Sequence, residues 1–435
     1  MKKLITNSIL FSPAIIAVIL WLLLTYDQSN FSSTPTTLKT IGQLAGLIGA
    51  TLFAWNFILA SRLRVIEEFF FGLNKVYTSH HLVGAIAFMF LLYHPIFLSL
   101  EYLPFGIKAI SQFVLPPLQD YPVWFGILGL DIIIISLFIT FFVKTKYHLW
   151  KLSHQILGVS LGLASLHIIF VPNILVDNLP LRMWIYLIFG TATITFTTRT
   201  LLGKYFVKRY EYTVEKIEER GSGVREIYLK PQHDKMNYRP GQFMFIKIYG
   251  QGIKKEFHPF TITSPGNSEL LSFSPKELGD FTKQLSNLQV NDKATIEGPY
   301  GKFQLDIYHN TNQIWIAGGI GITPYLGWLR SLQPDHPYNI HFYYSAKNPS
   351  EAVYIPEIKS HLEKLPNIML IPFFQETDGF LTMQAIATKT PDFLKRDMFL
   401  CGPPSMMKAL KAQAKPLGVP EPQIHSEEFA LYEGK

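Results

Sequence analysis

Cysteine and charge are both scarce in this chain. It has one cysteine, Cys401, in 435 residues, which excludes an intramolecular disulfide and any metal or iron–sulfur site built from several cysteines. Charged residues make up 16%, whereas a soluble domain carries about 25%. Aromatic residues make up 14% and no low-complexity tract occurs, so a disordered chain is also excluded.

The scarcity of charge is confined to the first half of the chain. Residues 1–203 contain 19 charged residues, whereas residues 204–435 contain 52. The first half therefore has the composition of a membrane domain, and the second that of a soluble protein. The net charge of +7 falls mainly in short loops between apolar runs, which argues against a nucleic-acid binder.

Six apolar runs are each long enough to cross a bilayer, which takes about 20 residues. Loops on one side of these runs contain 12 Lys and Arg, and loops on the other side contain 3. The richer side is therefore expected to be cytoplasmic, together with both termini and the soluble half. The first run is too long for a signal peptide and is interpreted as a retained span. The runs lie near residues 8–26, 39–61, 79–100, 122–143, 153–172 and 182–202.

Two of the predicted spans contain two histidines each. His80 and His94 lie in span three, and His154 and His167 lie in span five, with one histidine near each end of each span. Polar side chains at membrane depth are costly and usually functional, and imidazole is an axial ligand of haem iron. The pattern predicts two haem sites, an inner one at His80 and His154 and an outer one at His94 and His167.

The helical phase of these pairs requires a distortion. Fourteen residues separate His80 from His94, nearly four whole turns, but the pair in span five is thirteen residues apart, which rotates the second ring by about 140°. Helix tilt, or a distortion near Gly158 or Gly162, has to compensate. His81 gives a separation of thirteen residues in span three and is an alternative to His80.

Two further polar residues in this half are ambiguous. Asp131 lies inside span four, where it is either functional, as part of a proton relay or as a contact to the outer haem environment, or a buried acid paired with a neighbouring helix. His148 lies in a basic loop and is interpreted as a surface residue. Neither is assigned to a cofactor.

The soluble half has two kinds of pattern. Residues 210–310 form short alternating runs punctuated by glycine and proline, which predicts an antiparallel β-barrel. Residues 312–435 alternate strand-like and helical segments, which predicts an α/β doubly wound parallel sheet. The predicted fold class is thus multi-domain: a six-helix transmembrane di-haem bundle in residues 1–203, a β-barrel in 204–310 and an α/β domain in 311–435.

Two glycine-containing motifs follow predicted strands of the α/β domain. Gly318 to Pro324 reads GGIGITP and opens a helix, where backbone N–H groups and the helix N-terminus suit a pyrophosphate. Cys401 to Pro404 reads CGPP and ends a later strand at the same edge of the sheet. Gly318 and Pro403 are candidate cofactor contacts within these motifs. Ser345 and Lys347 end the intervening strand, where a hydroxyl and a cation suit a 2′-phosphate and favour NADPH over NADH.

Together these features resemble the ferric reductase and NADPH oxidase family. Besides the histidines and the two glycine motifs, the chain has HPFT at His258 to Thr261, a Gly-Asp-x-Thr turn from Gly279, and GPYG from Gly298, all in the order found in the family. The resemblance covers essentially the whole chain. It implies two haems b, FAD in the barrel domain and NADPH in the α/β domain.

The resemblance also implies roles for single residues. It places an aromatic residue near the C-terminus on the flavin, either Phe429 or Tyr432. It implies that His258, Pro259, Phe260 and Thr261 lie along the flavin, that Lys276, Gly279 and Thr282 approach the FAD pyrophosphate, that Gly319, Gly321, Thr323 and Pro324 hold the NADPH phosphates, and that Cys401 and Gly402 lie near the nicotinamide.

The family resemblance implies transmembrane electron transfer from cytosolic NADPH to an acceptor outside, most readily O2 giving superoxide. A ferric chelate is one alternative, and a quinone or partner protein is another. Oxidase members place an arginine in span two and a second histidine one turn after the outer ligand, whereas this chain has no arginine between Thr40 and Ser61, and Leu98 follows His94. No calcium-binding D-x-D-x-D-G loop occurs. The compact chain points to the bacterial inner membrane.

Overall fold

A computed structural model describes residues 2–143, 147–171 and 175–427. The chain divides into two compact units, one ending at Val207 and the other beginning at Lys208. The first unit is entirely helical in its described residues. Its helices are α1 (Lys2–Leu24), α2 (Thr34–Ala60), α3 (Arg64–Phe69), α4 (Leu73–Leu100), α5 (Ile107–Val114), α6 (Tyr121–Phe142), α7 (Tyr147–Gln155), α8 (Leu157–Phe170), α9 (Leu179–Phe196) and α10 (Gly203–Phe206).

Five helical stretches within the described ranges are long and apolar enough to cross a membrane. They coincide with predicted spans two to six. The first predicted span falls on α1, whose described side chains form a shorter apolar helix, Ile9–Leu24. The membrane-helical first half is therefore confirmed, and the count of six spans stays a prediction. The five stretches are Thr34–Ala60, Leu73–Leu100, Tyr121–Phe142, Leu149–Phe170 and Leu179–Leu201.

Glycines bring α2 directly against α4. A Cβ atom at Gly42 would lie 2.9 Å from the backbone nitrogen of Leu98, and one at Gly49 would lie 2.9 Å from that of Leu91. Small residues at such positions let membrane helices approach backbone to backbone. The close approach places the backbone carbonyl groups of α2 within reach of side chains on α4.

The fifth span is interrupted at Ile156, between α7 and α8. Just beyond the break, Gly158 lies against the ring of Phe196, where a Cβ atom would be 2.1 Å from Cζ. Any larger residue at 158 would have to displace the Phe196 ring. The interruption lies close to Gly158, one of the two glycines where the helical phase of the histidines predicts a distortion.

The second unit begins with a six-stranded antiparallel sheet, here called the sheet lobe. Its strand order is β4-β3-β6-β1-β2-β5, and Ile262, just beyond β4, forms a bridge with Phe273 of β5. An antiparallel sheet is thus confirmed, and closure into a barrel stays a prediction. The strands are β1 (Tyr210–Gly221), β2 (Val224–Pro231), β3 (Phe243–Ile248), β4 (His258–Thr261), β5 (Leu271–Phe273) and β6 (Lys293–Tyr300), with α11 (Asp280–Gln284) before β6.

The rest of the second unit, here called the α/β lobe, confirms the predicted doubly wound parallel sheet. Its strand order is β11-β10-β7-β8-β9, and all its pairings are parallel. Strand β9 was not anticipated from the sequence. The elements are β7 (Asn312–Gly318), α12 (Thr323–Ser331), β8 (Asn339–Ala346), α13 (Ile355–Leu362), β9 (Ile368–Phe374), α14 (Gln375–Asp378), α15 (Met383–Lys389), β10 (Asp397–Cys401), α16 (Pro404–Ala414) and β11 (Ile424–Glu427).

Candidate functional site

The four membrane histidines come together in the two predicted pairs. The ring centres of His80 and His154 are 6.0 Å apart, and those of His94 and His167 are 6.4 Å apart. Two imidazoles that bind one metal ion from opposite sides, each through a nitrogen about 2 Å from the metal, have ring centres roughly 6 Å apart. Both spacings fit one metal ion per pair.

Backbone carbonyl groups lie within hydrogen-bond distance of three of these rings. Nδ1 of His80 lies 3.2 Å from the carbonyl oxygen of Asn56, and Nδ1 of His94 lies 2.8 Å from that of Gly42. Nδ1 of His167 lies 2.9 Å from the carbonyl oxygen of Pro122. When Nδ1 donates to a carbonyl, the tautomer leaves Nε2 free to bind a metal, which is the usual arrangement of metal-binding histidines.

His154 is held differently. Its Nδ1 is buried and has no hydrogen-bond partner within the described ranges. Its ring instead stacks on Trp150, one turn earlier, with ring centres 5.6 Å apart and planes 9° apart. The inner pair therefore combines one carbonyl-oriented ring with one ring oriented by an aromatic neighbour.

Two glycines make room for the outer pair. A Cβ atom at Gly46 of α2 would lie 2.4 Å from Nδ1 of His94, and one at Gly126 of α6 would lie 2.8 Å from Nδ1 of His167. Any side chain at either position would push the facing imidazole away. The sequence reasoning missed both glycines, because nothing in the local pattern says which helix faces a histidine.

The donor set fits a haem rather than a metal held by protein alone. Within the residues that the structure describes, no three or more His, Cys, Asp or Glu side chains are grouped to hold a metal ion. A haem iron needs only two protein ligands, because the macrocycle supplies the other four. Of the two candidates in α4, His80 faces His154, whereas His81 lies beside His80 with ring centres 5.8 Å apart.

The position of Asp131 does not match a buried acid paired with a neighbouring helix. It lies in the middle of α6 with its side chain exposed. Among the residues that the structure describes, no hydrogen bond or ion pair links it to another side chain. A buried acid paired with a neighbouring helix is therefore wrong, and a role in proton transfer stays a prediction. The side chain of His148 lies outside the described part of the chain.

The two glycine motifs of the α/β lobe meet at the carboxyl edge of its sheet. Strand β7 pairs in parallel with β10, with Ala317 opposite Cys401. A Cβ atom at Gly321 would lie 2.3 Å from the carbonyl oxygen of Cys401, and one at Gly318 would lie 2.8 Å from Cδ of Pro403. Because the strand order reverses between β7 and β10, the motifs flank the point where such sheets bind ligands.

The remaining residues of this edge also take the predicted places. Gly402 packs on Gly318, since a Cβ atom on Gly402 would lie 3.0 Å from the Cα atom of Gly318. Thr323 and Pro324 open α12, and Gly319 has a positive φ of 53°. Ser345 lies opposite Gly318 in the register of β7 and β8, and exposed Lys347 follows two residues later. Their contacts with a nucleotide stay predictions.

Cys401 is fully buried. Its side chain belongs to the apolar cluster that also contains Ala317 and Tyr325. Burial, followed by the charge of Glu427, raises the pKa of the thiol well above its usual range. A raised pKa keeps the thiol protonated at neutral pH, so Cys401 has no thiolate for nucleophilic chemistry. A contact with the nicotinamide stays a prediction.

We therefore expect Cys401 to resist thiol reagents in the native protein. At pH 8, labelling should stay below about a tenth of that in the unfolded chain, because only the thiolate reacts and the side chain is inaccessible. Mass spectrometry of labelled peptides measures the fraction. Ser222→Cys, at an exposed turn, is the matched control and should label fully; equal labelling at Cys401 would contradict the burial.

The HPFT segment forms β4, an edge strand of the sheet lobe. His258 pairs with Ile246 and Thr261 with Phe243. The His258 ring stacks on Phe281 of α11, with ring centres 3.7 Å apart, and Thr261 is buried. Pro259 and Phe260 lie between them in the strand, so all four predicted flavin contacts share one segment.

The predicted pyrophosphate contacts have partners within the protein. Lys276 Nζ lies 2.8 Å from Oε2 of Glu351, a residue of the α/β lobe. The hydroxyl of Thr282 accepts from the backbone N–H of Gly279 at 3.0 Å and so caps α11. Their approach to FAD stays a prediction, and Phe429 and Tyr432 lie outside the described residues.

Comparison with known proteins matches three consecutive regions to families. Residues 45–165 match the ferric reductase like transmembrane component, residues 210–304 match an FAD-binding domain, and residues 315–412 match the oxidoreductase NAD-binding domain. The chain has the architecture of the ferric reductase and NADPH oxidase family. It is an oxidoreductase that uses NAD(P)H and FAD.

Individual relatives match parts of this ferric reductase-like chain. NADPH oxidase 3 of Rattus norvegicus is 29% identical over 140 residues, which cover 30% of this chain and 24% of that protein. The reductase component of propane 2-monooxygenase from Rhodococcus jostii is 27% identical over 252 residues, covering 54% of this chain and 68% of the relative. The flavohemoglobin of Malassezia yamatoensis has a similar fold, with a TM-score of 0.53 and 17% identity over 91% of this chain and 99% of its own.

A buried charge network joins the two lobes of the reductase, and the sequence reasoning missed it. Glu226 of β2 is fully buried, and its carboxylate contacts Arg220 of β1 at 2.5 Å and Arg330 of α12 at 2.6 Å. Burial alone would raise the pKa of Glu226, but hydrogen bonds and charge from Arg330, then Arg220, hold it below its usual range. No local pattern signals the contact of Glu226 with Arg330, because these two residues are about a hundred positions apart in the sequence.

Proposed function

We propose that this protein transfers electrons across a membrane from NADPH to an acceptor on the opposite side, with FAD and two haems b as carriers. The observation that carries the proposal is the pair of histidine couples, with ring centres 6.0 and 6.4 Å apart. His80, His94 and His154 lie within residues 45–165, which match the transmembrane component, and His167 follows two residues later. A chain that only reduced a soluble partner would need neither couple.

The membrane residues supply ligation and insulation. His80 and His154 hold the inner haem, and His94 and His167 hold the outer haem. The carbonyl groups of Asn56, Gly42 and Pro122 orient three of these rings. FAD, when bound, accepts a hydride and releases electrons one at a time, and a haem accepts one electron at a time.

The second unit supplies the nucleotide and flavin sites. Gly318 to Pro324 and Cys401 to Pro403 form the edge where NADPH binds, with Ser345 and Lys347 toward its 2′-phosphate. The HPFT strand and the turn from Lys276 to Thr282 hold FAD. Their role is to place the nicotinamide against the flavin and to exclude water while hydride moves.

Dioxygen, reduced to superoxide, is the proposed acceptor. His94 and His167 would together hold the outer haem, and two histidine ligands would leave no site on its iron for an acceptor, so an acceptor would have to react without binding the iron. A small diatomic molecule suits such a route. Leu98, where oxidases place a histidine, packs against Gly42, so this reduction does not depend on an additional imidazole.

An assay of the purified, detergent-solubilised protein with added FAD identifies the electron acceptor. NADPH oxidation in air is followed together with cytochrome c reduction, with and without superoxide dismutase. We expect dismutase to abolish most of the cytochrome c reduction. Turnover that is negligible in air and begins only when a ferric chelate is added without oxygen would instead make the protein a ferric reductase.

A second candidate function is electron donation to a partner protein. It is favoured by the relatives named as reductase components of monooxygenases, among them that of Rhodococcus jostii. If the protein donates electrons to a partner, NADPH should reduce its flavin, but the purified protein should reduce both dioxygen and ferric chelates only slowly. Fast flavin reduction combined with slow turnover on both acceptors would select this candidate.

The cation at Lys347 gives a test of nucleotide choice. We expect Lys347→Glu to raise the KM for NADPH by about ten-fold, or about 1.4 kcal/mol, and to leave the KM for NADH nearly unchanged, because only NADPH carries the 2′-phosphate. Steady-state kinetics with both nucleotides measure the effect. Lys359→Glu, on the exposed side of α13, is the control; equal effects on both nucleotides would remove Lys347 from the 2′-phosphate site.

A further inference from the structure

We propose that Arg330 is a positioning residue for hydride transfer: by binding Glu226 it holds the α/β lobe against the sheet lobe, so that the nicotinamide meets the flavin in register. The inference rests on the proposed function only through its first step, from NADPH to FAD. It does not depend on the haems or on the acceptor.

Arg330 reaches across the lobes with ideal geometry for its side chain. Its Nη1 donates to Oε1 of Glu226 at 2.6 Å, and its Nη2 donates to Oε2 at 3.1 Å. Nη1 also donates to the carbonyl oxygen of Thr263, at 3.0 Å. A two-pronged contact between a guanidinium and a carboxylate fixes orientation as well as distance. The contact of Arg330 with Thr263 lies next to the HPFT segment, since Thr263 is two residues beyond Thr261.

The helix that carries Arg330 also carries the nucleotide loop. Arg330 lies seven residues after Thr323, about 10 Å along α12. Between them, Trp328 Nε1 donates to the carbonyl oxygen of Pro240 at 3.1 Å, and a Cβ atom on Gly327 would lie 3.1 Å from the carbonyl oxygen of Ile262. One end of α12 thus positions the nucleotide loop, while its other end is fixed to the lobe that binds the flavin.

Apolar packing joins the lobes near Trp328, but the surface where they meet is open beside Arg330. An open groove of about 410 Å³ runs beside Arg330 where the lobes meet, and its lining includes Arg330, Glu357 and Ser264. Where side chains do not fill the interface, its geometry depends on directional contacts. The ion pair of Arg330 with Glu226 supplies such a contact. The contact of Arg330 with Glu357 of α13, at 2.7 Å, lies within the α/β lobe and holds the guanidinium in place.

Arg220 is a natural comparison. It binds the same carboxylate of Glu226, at 2.5 Å, but it lies on β1 of the sheet lobe, so this contact remains within one lobe. Its contact across the interface, to Glu357, is longer, at 3.5 Å. Loss of Arg220 therefore removes a charge from Glu226 while leaving α12 attached.

The experiment compares Arg330→Met, Arg330→Lys and Arg220→Met in the full-length, FAD-loaded protein. Flavin reduction by NADPH is followed without oxygen in a stopped-flow instrument and normalised to bound FAD. We expect Arg330→Met to slow hydride transfer at least about ten-fold with little change in NADPH affinity, since a displacement near 1 Å is enough for such a loss. Arg330→Lys should be intermediate, because it keeps the charge but loses the two-pronged contact. Arg220→Met should stay within about three-fold of the wild type.

A double variant keeps the test decisive if Arg330→Met does not fold. Glu226→Leu combined with Arg330→Met removes both charges, and such apolar replacements are usually tolerated. It should show the same slow hydride transfer. Wild-type rates in the double variant, or equal losses in Arg330→Met and Arg220→Met, would overturn the proposal. Failure of NADPH to reduce the flavin of the wild-type protein would instead contradict the proposed function.

Discussion

Replacing either His94 or His167 by alanine should remove one of the two haems and stop electron delivery to the outer side. Each histidine is, in the proposed function, one of two ligands of the outer haem iron, and the glycines opposite them leave no other side chain to replace it. Loss of a ligand should cost more than the 10–100-fold in affinity that removal of an outer-shell partner costs. Reduced-minus-oxidised spectra and haem content per flavin measure the result.

His81→Ala serves as the control for this experiment. His81 is on the same helix as His80, but the ring facing His154 belongs to His80. The variant should keep both haems. Flavin reduction by NADPH should remain at the wild-type rate in all three variants, because that step takes place in the second unit. Full haem content in both the His94 and His167 variants would reject the ligand assignment.

Gly321→Ala should abolish NADPH turnover with a single added carbon. Its Cβ atom would lie 2.3 Å from the carbonyl oxygen of Cys401 and 2.7 Å from the Cα atom of Gly402. These are backbone atoms, so the two nucleotide-binding motifs have to separate. A shift near 1 Å between reacting groups costs about 100-fold in rate. We expect flavin reduction to fall by at least that factor, measured per bound FAD.

Gly418→Asn is the matched control in the same lobe. Gly418 has a positive φ of 82°, which asparagine tolerates better than most residues, and a Cβ atom there would meet nothing within 4 Å. This variant should reduce flavin at the wild-type rate. If Gly321→Ala behaved like Gly418→Asn, contact between the two motifs would not be needed for nucleotide binding.

The chemistry-bearing residues of the site were largely predictable from the sequence. Histidine is rare in apolar spans, so two helices with a histidine near each end are conspicuous. The motifs at Gly318 and Cys401 follow strands, and parallel strands end at one edge of a sheet. The separation of thirteen residues in span five also predicted a distortion, because it does not bring two side chains to one helix face, and α7 ends one residue before Ile156.

What the sequence could not supply are contacts between distant segments. The pairing of Arg330 with Glu226, and of Lys276 with Glu351, depends on how two lobes meet, and neither residue has a local signature. The exposure of Asp131 depends on which face of α6 packs against α8, and a nearly uniform apolar helix gives no such information. Strand β9 carries a proline at position 372, which obscures its pattern.

The hydrogen bonds that orient His80, His94 and His167 have a consequence for how this domain tolerates change. Every amino acid brings a main-chain oxygen, so exchanging the side chain of Asn56 or Pro122 leaves the acceptor in place. Random mutation can therefore alter these positions while the imidazoles keep their tilt. A saturation screen for electron transfer should find the histidines intolerant and positions 56 and 122 permissive. The orientation of these imidazoles therefore depends on the path of the main chain and not on the side chains at positions 56 and 122.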